Sequence, residues 1–553
     1  MVLPREIAKG EISVFDYHDI SKHRIGEYAP GPLALDWDQQ PEPFRTFAGA
    51  PAVELPLPTK TSAPRFHQLT DGTAIPPAPP SLTALSQLLG YSMGISCWKV
   101  YEEIKFALRC NPSSGNLHPT ETYLAVENFP DLTSGIYHYD VRQHSLERRS
   151  VFAAADKVAE PSVWIGLTSV PWREAWKYGE RSYRYCQLDI GHAIAAIRMS
   201  AAALGWSVSL VESMGDDQIA DLFGIDREDD YVECEREIPE VVLRVNLDAR
   251  TNTDCKFARL LEFPETTADP KWSGVANRLS SEAPVEWPFA DALPYRLLKP
   301  QTDEFAWVPP TGTNRLPTAS DEAATDIFAW RRSAQAFDED AVYPRAAFAR
   351  FLESLTPKRN VPPLDVLPWQ PRLHPVFFIH QVEGIAPGVY LAPRSDDAER
   401  ILRSTLRGKF DWTPVENLST TLPLYSLVAA KCRKAAKHVS CNQAIAADSC
   451  FAVAMIAEFE DILAEGAWKY RQLFWEAGAL GQQMYLEAEV ANFRGTGIGC
   501  FFDNEIHQIL GIHDTSFQCL YNFTVGYPIL DPRLQSIAPY AHLEKQRPTP
   551  HAD

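Results

Sequence analysis

No stretch of this sequence holds the roughly 20 consecutive apolar residues that a membrane-spanning helix requires. Its first ten residues carry Arg5, Glu6 and Lys9 in place of an apolar signal core. No membrane association is therefore expected, and the expected location is cytoplasmic. Positive charge is scarce: 52 Lys and Arg stand against 72 Asp and Glu, for a formal net charge of −20. Such a field repels phosphate backbones, so nucleic acid is not an expected partner. An anionic ligand would need a local basic pocket working against that field. No Cys-x-x-Cys pair occurs among the ten cysteines, and their ligand-poor spacing speaks against a metal site. Reduced, mostly buried thiols are expected instead.

What is present points to more than one folded unit. A length of 553 residues favours two or more domains, and 45% hydrophobic residues suffice for real cores. Pro51 to Pro80 is Pro-rich and reads as extended linker or surface wrapping. Pro264 to Thr325 is rich in Pro, Ser and acidic residues and shows little periodicity. The division predicted is 1–270, an irregular linker at 271–325, and 326–553.

The two halves echo each other. YRYCQLDIGHAIAAIRMSAAALGW from Tyr183 matches YRQLFWEAGALGQQMYLEAEVANF from Tyr470, and 470 − 183 = 287. The same offset relates Gly191 to Gly478 and Gly224 to Gly511. Apolar residues recur at helical spacing in both copies, at Ile190, Ile194, Ile197, Ala201 and Leu204 and at Ala477, Leu480, Met484, Ala488 and Ala491. Gly191, Ala195, Gly478 and Gly481 would allow close helix approach. Short β-branched and aromatic runs predict strands at Tyr123–Val126, Val163–Leu167, Val241–Val245, Val376–Ile379 and Cys519–Val525. The fold class expected is α+β, a mixed sheet covered by helices in each half.

Four segments carry chemistry. Arg109-Cys-Asn-Pro-Ser-Ser-Gly-Asn-Leu-His-Pro119 offers Pro112, Ser113, Ser114, Gly115 and Asn116 as a turn with free hydroxyls, an amide and exposed N–H groups. Such a nest suits a phosphate or the polar edge of a heterocycle; a plain loop whose serine caps a helix is the alternative. Trp330-Arg-Arg-Ser-Ala-Gln-Ala-Phe337 presents Arg331, Arg332 and Ser333, able to grip a phosphate or merely to end a helix in solvent. Arg494-Gly-Thr-Gly-Ile-Gly-Cys-Phe-Phe-Asp503 alternates glycines, so the backbone at Gly497, Ile498 and Gly499 can approach a ligand. It follows a helix and runs into a strand-like segment, so it is not the dinucleotide fingerprint. Trp176-Lys177-Tyr178 and Trp468-Lys469-Tyr470 each pair a base with a hydroxyl donor, or a surface lysine with a packed ring.

Together with YHDISKHRIGEYAPG (Tyr17–Gly31), GIYHYD (Gly135–Asp140), KYGERSYRY (Lys177–Tyr185) and VEGIAPGVY (Val382–Tyr390), these segments resemble the nitroreductase superfamily. Within it they resemble the SagB-type dehydrogenases, which include thiazoline and oxazoline oxidases. The resemblance implies FMN bound between two units, here tandem fused copies packed as a pseudo-dimer within one chain, with further homo-oligomerisation open. One unit would supply the arginines and the GIG run, and the other the PSSGN loop. Only one complete set exists: Arg109 and Pro112–Asn116 from the first half, with Arg331, Arg332, Ser333 and Gly497–Gly499 from the second. A second, degenerate site would use Lys22, His23 and Arg24. Gln335 stands where the family motif has a further arginine. Lys177 and Tyr178 match the pair implicated in deprotonating the substrate. The expected activity is an FMN-dependent oxidoreductase, a dehydrogenase or oxidase acting on a small-molecule or peptide-derived substrate. An NAD(P)H-dependent nitro or quinone reductase, and a non-catalytic scaffold, are the alternatives.

Overall fold

A computed structural model describes residues 12–58, 63–152, 160–248, 271–304, 307–314, 316 and 320–544. Met1–Gly10, Cys255 and the expected boundary at 270 lie outside them. The centre is a pair of 22-residue helices, Ser182–Ala203 and Lys469–Val490, buried along nearly their whole length. A helix buried on all sides cannot rely on an amphipathic face. Its small residues let it pack, and its polar side chains must find partners.

Both conditions are met reciprocally. A Cβ on Gly191 would overlap the carbonyl of Trp475, and one on Gly478 would overlap the carbonyl of Leu188. The helices thus touch backbone to backbone. Arg184 on the first helix pairs with Asp503 at 2.6 Å, and Arg471 on the second pairs with Asp216 at 3.0 Å. Burial alone would raise the Asp503 carboxyl, but Arg181 and Arg184 outweigh it and hold it at about 2. Removing one partner of such a pair strands a buried charge, at a cost of about 3–5 kcal/mol.

A seven-stranded sheet runs in the order Ala52–Glu54, Ser145–Val151, Gly135–Asp140, Thr120–Glu127, Ser162–Ser169, Ile238–Asn246, Ser207–Val211. The other large sheet runs Thr413–Pro414, Tyr425–Ala429, Gly388–Leu391, Leu373–Ile379, Phe451–Glu458, Phe517–Pro528. Phe337–Asp338 and Arg494–Ile498 both pair with its last strand. The five expected strands all fall inside these. Every ladder between these strands is antiparallel, where a mixed sheet was expected. Among the described residues no helical crossover returns the chain parallel to a neighbouring strand of these sheets.

The 287 offset extends to element boundaries: Ser207–Val211 against Arg494–Ile498, and the helix Asp216–Phe223 against Asp503–Leu510. Both short helices end on a left-handed glycine, Gly224 and Gly511, each at φ 67°. The Arg494–Asp503 motif is therefore itself a strand followed by a helix start, not a lead-in to a strand as expected. Its glycines lie in the ladder on Phe517–Pro528. The stretch expected to be irregular at 271–325 contains the helix Pro288–Arg296. Just beyond it, Lys299 N donates to Asp216 at 2.8 Å, as His23 N donates to Asp503 at 2.9 Å. Among the described residues no helix is long and apolar enough to cross a membrane.

Replacing Gly478 by alanine separates two effects. Helix propensity favours alanine by about 1 kcal/mol, whereas the overlap with Leu188 costs about 1–3 kcal/mol of strain. Chemical denaturation should show Gly478→Ala to be less stable than the parent protein. A more stable variant would mean that the helices are not in backbone contact.

Candidate functional site

The strand Ile104–Arg109 delivers the chain into the loop at Asn111–Leu117, where Gly115 turns at φ 60°. A single 3-10 turn, Ser114–Asn116, lies within the loop, but the Ser113 side chain makes no capping bond to it, and the strand Thr120–Glu127 follows. The Ser113 hydroxyl instead accepts from His118 N at 2.7 Å, and Asn116 Nδ2 donates to the Ala107 carbonyl at 2.9 Å. The loop is thus pinned to its own hairpin.

The second half reaches the same loop. Arg331, just past the helix Ala324–Trp330, donates to the carbonyls of Cys110 and Arg109, each at 2.9 Å. Gly497 N donates to the Tyr485 hydroxyl at 2.8 Å, and that hydroxyl shares a second hydrogen bond with Ser333 Oγ at 2.8 Å. Thr496 Oγ1 donates to the Ala334 carbonyl at 2.7 Å. The arginine segment and the glycine strand are therefore one linked wall.

Between loop and wall lies a cavity of about 900 Å³. Arg109, Pro112, Ser113, Ser114, Gly115, Asn116, Arg331, Arg332, Ser333, Gly497, Ile498 and Gly499 all line it, as do Tyr178 and Gln335. Lys177 stands beside it: a Cβ on Gly115 would sit 2.6 Å from the Tyr178 hydroxyl and 3.2 Å from Lys177 Nζ. Lys99 and Arg494 add further cations to the lining, against the overall charge of −20.

Asp189, His192, Tyr185, Tyr485 and Tyr521 also line the cavity and were not singled out from the sequence. The first long helix carries Tyr185, Asp189 and His192 at spacings of four and three, which places them on one face. Polar residues on one face of a small-residue helix were the available signal. Asp189 Oδ1 accepts from Ser114 N at 3.1 Å, while Oδ2 makes no hydrogen bond among the described residues. Burial, partly offset by the loop serines, raises this carboxyl to about 7. Burial lowers His192 to about 3, so it is neutral and accepts from Tyr521 at 3.1 Å. Burial also pushes the Tyr178 hydroxyl well above its ordinary value, helped by Glu174, Tyr185 and Asp189. Tyr178 is therefore a proton donor as it stands. Asn111 Oδ1 and His118 Nδ1 are further buried lining atoms without a partner among the described residues.

Across the helix pair, the same 287 offset leads to charged and amide side chains bonded to one another. Arg198, the counterpart of Tyr485, pairs with Asp365 at 2.7 Å. Gln472, the counterpart of Tyr185, donates to Glu212 at 2.8 Å, and Glu212 stands where the other side has Gly499. Glu476, the counterpart of Asp189, accepts from Trp369 Nε1 and from the backbone of Arg372 and Leu373. Lys22, His23 and Arg24 are not in that place. Lys22 donates to Gln518, Arg24 pairs with Asp19, and His23 lies against Asp503, so these residues adjoin the open cavity's wall instead. The Lys22 and Arg24 charges are used within the fold, and the neutral His23 ring accepts from Ala29 N at 2.9 Å.

Residues 98–234 match the nitroreductase family. Over 165 residues the chain is 28% identical to the trifolitoxin-processing protein TfxB of Rhizobium leguminosarum bv. trifolii, a match covering 26% of this chain and 43% of that protein. Over 158 residues it is 24% identical to a Methanocaldococcus jannaschii protein described as a nitroreductase, covering 27% of this chain and 76% of that one. A crystal structure described as a nitroreductase from Anabaena variabilis superposes with a TM-score of 0.66 at 21% identity, over 94% of this chain and 100% of that one. Residues 98–234 are therefore similar to the nitroreductase family, and the chain shares an α and β fold with the Anabaena protein along most of its length.

A raised carboxyl binds its proton more tightly in the folded state. The stability it contributes is complete below its unfolded value of 3.8 and is lost as pH rises to about 7. Urea titrations at a series of pH values should show the stability of the parent protein relative to Asp189→Asn falling across that window and then levelling. A constant difference would place Asp189 in a solvated setting.

Proposed function

We propose that this chain is an FMN-dependent oxidoreductase built from two fused nitroreductase-like units, 1–270 and 326–553, joined through 271–325 and packed as a pseudo-dimer. The observation that carries this reading is the convergence of the PSSGN loop, the paired arginines and the glycine strand on one cavity of about 900 Å³. The donor set suits FMN: Lys99, Arg331, Arg332 and Arg494 supply the positive charge a phosphate needs. Asn111 Oδ1, His118 Nδ1 and Asp189 Oδ2 offer buried polar atoms still lacking partners.

Bound FMN would supply two-electron hydride chemistry. The chain's own residues orient and protonate. Gly497 and Gly499 leave room for the Tyr521 and Tyr185 rings that line the cavity, which a Cβ on either glycine would overlap. Tyr178 holds a proton next to Lys177, and Asp189, titrating near neutrality, can hold or release one beside Ser114. A deprotonating role in SagB-type chemistry then falls more naturally to Lys177 or Asp189, with Tyr178 as donor.

Within this class we favour a SagB-type dehydrogenase or oxidase of a peptide-derived substrate, in keeping with the PSSGN–GIGCFFD motif order and the similarity to a toxin-processing protein. The nitroreductase descriptions of the other relatives keep an NAD(P)H-dependent nitro or quinone reductase as the second reading. The bonds that Glu212, Asp365 and Glu476 accept at the corresponding positions support one flavin per chain.

Purified protein should be yellow and release about one FMN per chain; two would refute the single site, and failure to bind added FMN would leave the scaffold reading. Arg332→Ala should weaken FMN binding about tenfold or more. Tyr178→Phe should keep FMN while turnover falls about 100-fold. Anaerobic bleaching by NADPH would favour the reductase, and bleaching only by a peptide substrate the dehydrogenase.

A further inference from the structure

Cys500 follows the Gly497–Gly499 run on the cavity wall and has no part in the chemistry above. Beside it stands Cys441, from the turn between the helices Arg433–Val439 and Ala444–Asp448. The turn lies against the strand end that carries Cys500: Phe502 N donates to the Val439 carbonyl at 2.8 Å. The turn is fastened at this spot, because Gln443 Nε2 donates to the Cys500 carbonyl at 2.9 Å. Cys441 and Asn442 both hold positive φ, 51° and 58°. Residues with side chains keep that conformation only where their surroundings impose it.

The surroundings of the pair are those of an activated thiol. His23 Nδ1 accepts from Ala29 N at 2.9 Å, which leaves the proton of the neutral ring on Nε2, and His23 lowers the Cys500 thiol. The Tyr28 ring packs against His23, with ring centroids 5.0 Å apart. Arg181, which donates to the Gly499 carbonyl at 3.0 Å, adds positive charge next to Cys500. Each thiol is the leading influence on the other, lowering Cys500 and raising Cys441. Burial instead pushes up Cys110, Cys186, Cys432, Cys450 and Cys519. Cys441 and Cys500 are also only half-buried, so reagents can reach them. Low thiol pKa, exposure and an adjacent second thiol are together what a redox-active dithiol requires.

We propose that Cys441 and Cys500 form a redox-active dithiol that exchanges with low-molecular-weight disulfides at the cavity wall. The Cys500 thiolate attacks one sulfur of the small disulfide. The S–S bond of that molecule breaks, one thiolate leaves, and a mixed disulfide remains on Cys500. Cys441 then attacks Cys500 Sγ, its proton passing to a departing small-molecule thiolate. The Cys441–Cys500 bond forms as the second small thiolate leaves. The protein gives up two electrons and one proton, and the small disulfide becomes one thiol and one thiolate, so charge and atoms balance. None of these steps depends on a bound flavin.

The test equilibrates the whole purified chain in glutathione buffers of graded oxidised-to-reduced ratio. Free thiols are then trapped with N-ethylmaleimide and the digest is mapped by mass spectrometry. One two-electron transition should link Cys441 to Cys500 while the other cysteines stay alkylated. Cys441→Ser should instead accumulate glutathione on Cys500. At about pH 6, where an ordinary thiol is almost wholly protonated, iodoacetamide should modify Cys500 at least about tenfold faster than the half-buried Cys234. His23→Phe should remove most of that advantage. Absence of a Cys441–Cys500 peptide in the parent protein at the most oxidising ratio would overturn the proposal. So would alkylation of Cys500 no faster than that of Cys234.

Discussion

Everything in this fold is hung on the contact between two glycines and two carbonyls. Gly191 lies against Trp475 and Gly478 against Leu188, so the long helices meet with no side chain between them. That closeness brings Arg184 within reach of Asp503 and Arg471 within reach of Asp216. Each arginine thereby anchors the start of a short helix belonging to the other half. Those short helices follow the strands Ser207–Val211 and Arg494–Ile498, and the second of these carries the glycines of the cavity wall. A packing constraint at the centre is thus passed outward, through a buried ion pair, to the backbone that faces the proposed flavin.

The cavity is composite for the same reason. Its loop is pinned by a hairpin of the first half, while its arginines and glycines are locked to each other by Tyr485 on the second long helix. Arg331 closes the gap by bonding the carbonyls of Arg109 and Cys110 across the two halves. On the opposite side of the helix pair, charged and amide side chains bond to one another at the corresponding positions. Two faces with a common architecture have therefore taken different contents.

Much of this is legible in the order of the amino acids, and what is not legible there has physical causes. Val241–Val245 and Cys519–Val525 announce themselves as strands because β-branched and aromatic residues suit a pleated surface. The PSSGN turn and the paired arginines stand out because turn chemistry and cations are conspicuous in an acidic chain. Asp189 and His192 are hidden, because a buried polar residue on a helix looks like an exposed one until the packing is known. Lys22, His23 and Arg24 look like an anion site, yet Gln518, Asp503 and Asp19 absorb them within the fold. The helix Pro288–Arg296 escapes notice because proline at its start and inside it masks the helical pattern.

The helix pair belongs to one continuous chain, which changes what dilution can do. When two separate subunits share a site, its integrity follows their concentration, and at low expression the site falls apart. Here the partner surface is tethered, and its effective concentration is a property of the molecule and not of the cell. The cavity should be as complete in a single molecule as in a crowded solution. Mutation in one half also alters one wall of the cavity alone, where in a symmetric dimer it would alter both sites at once.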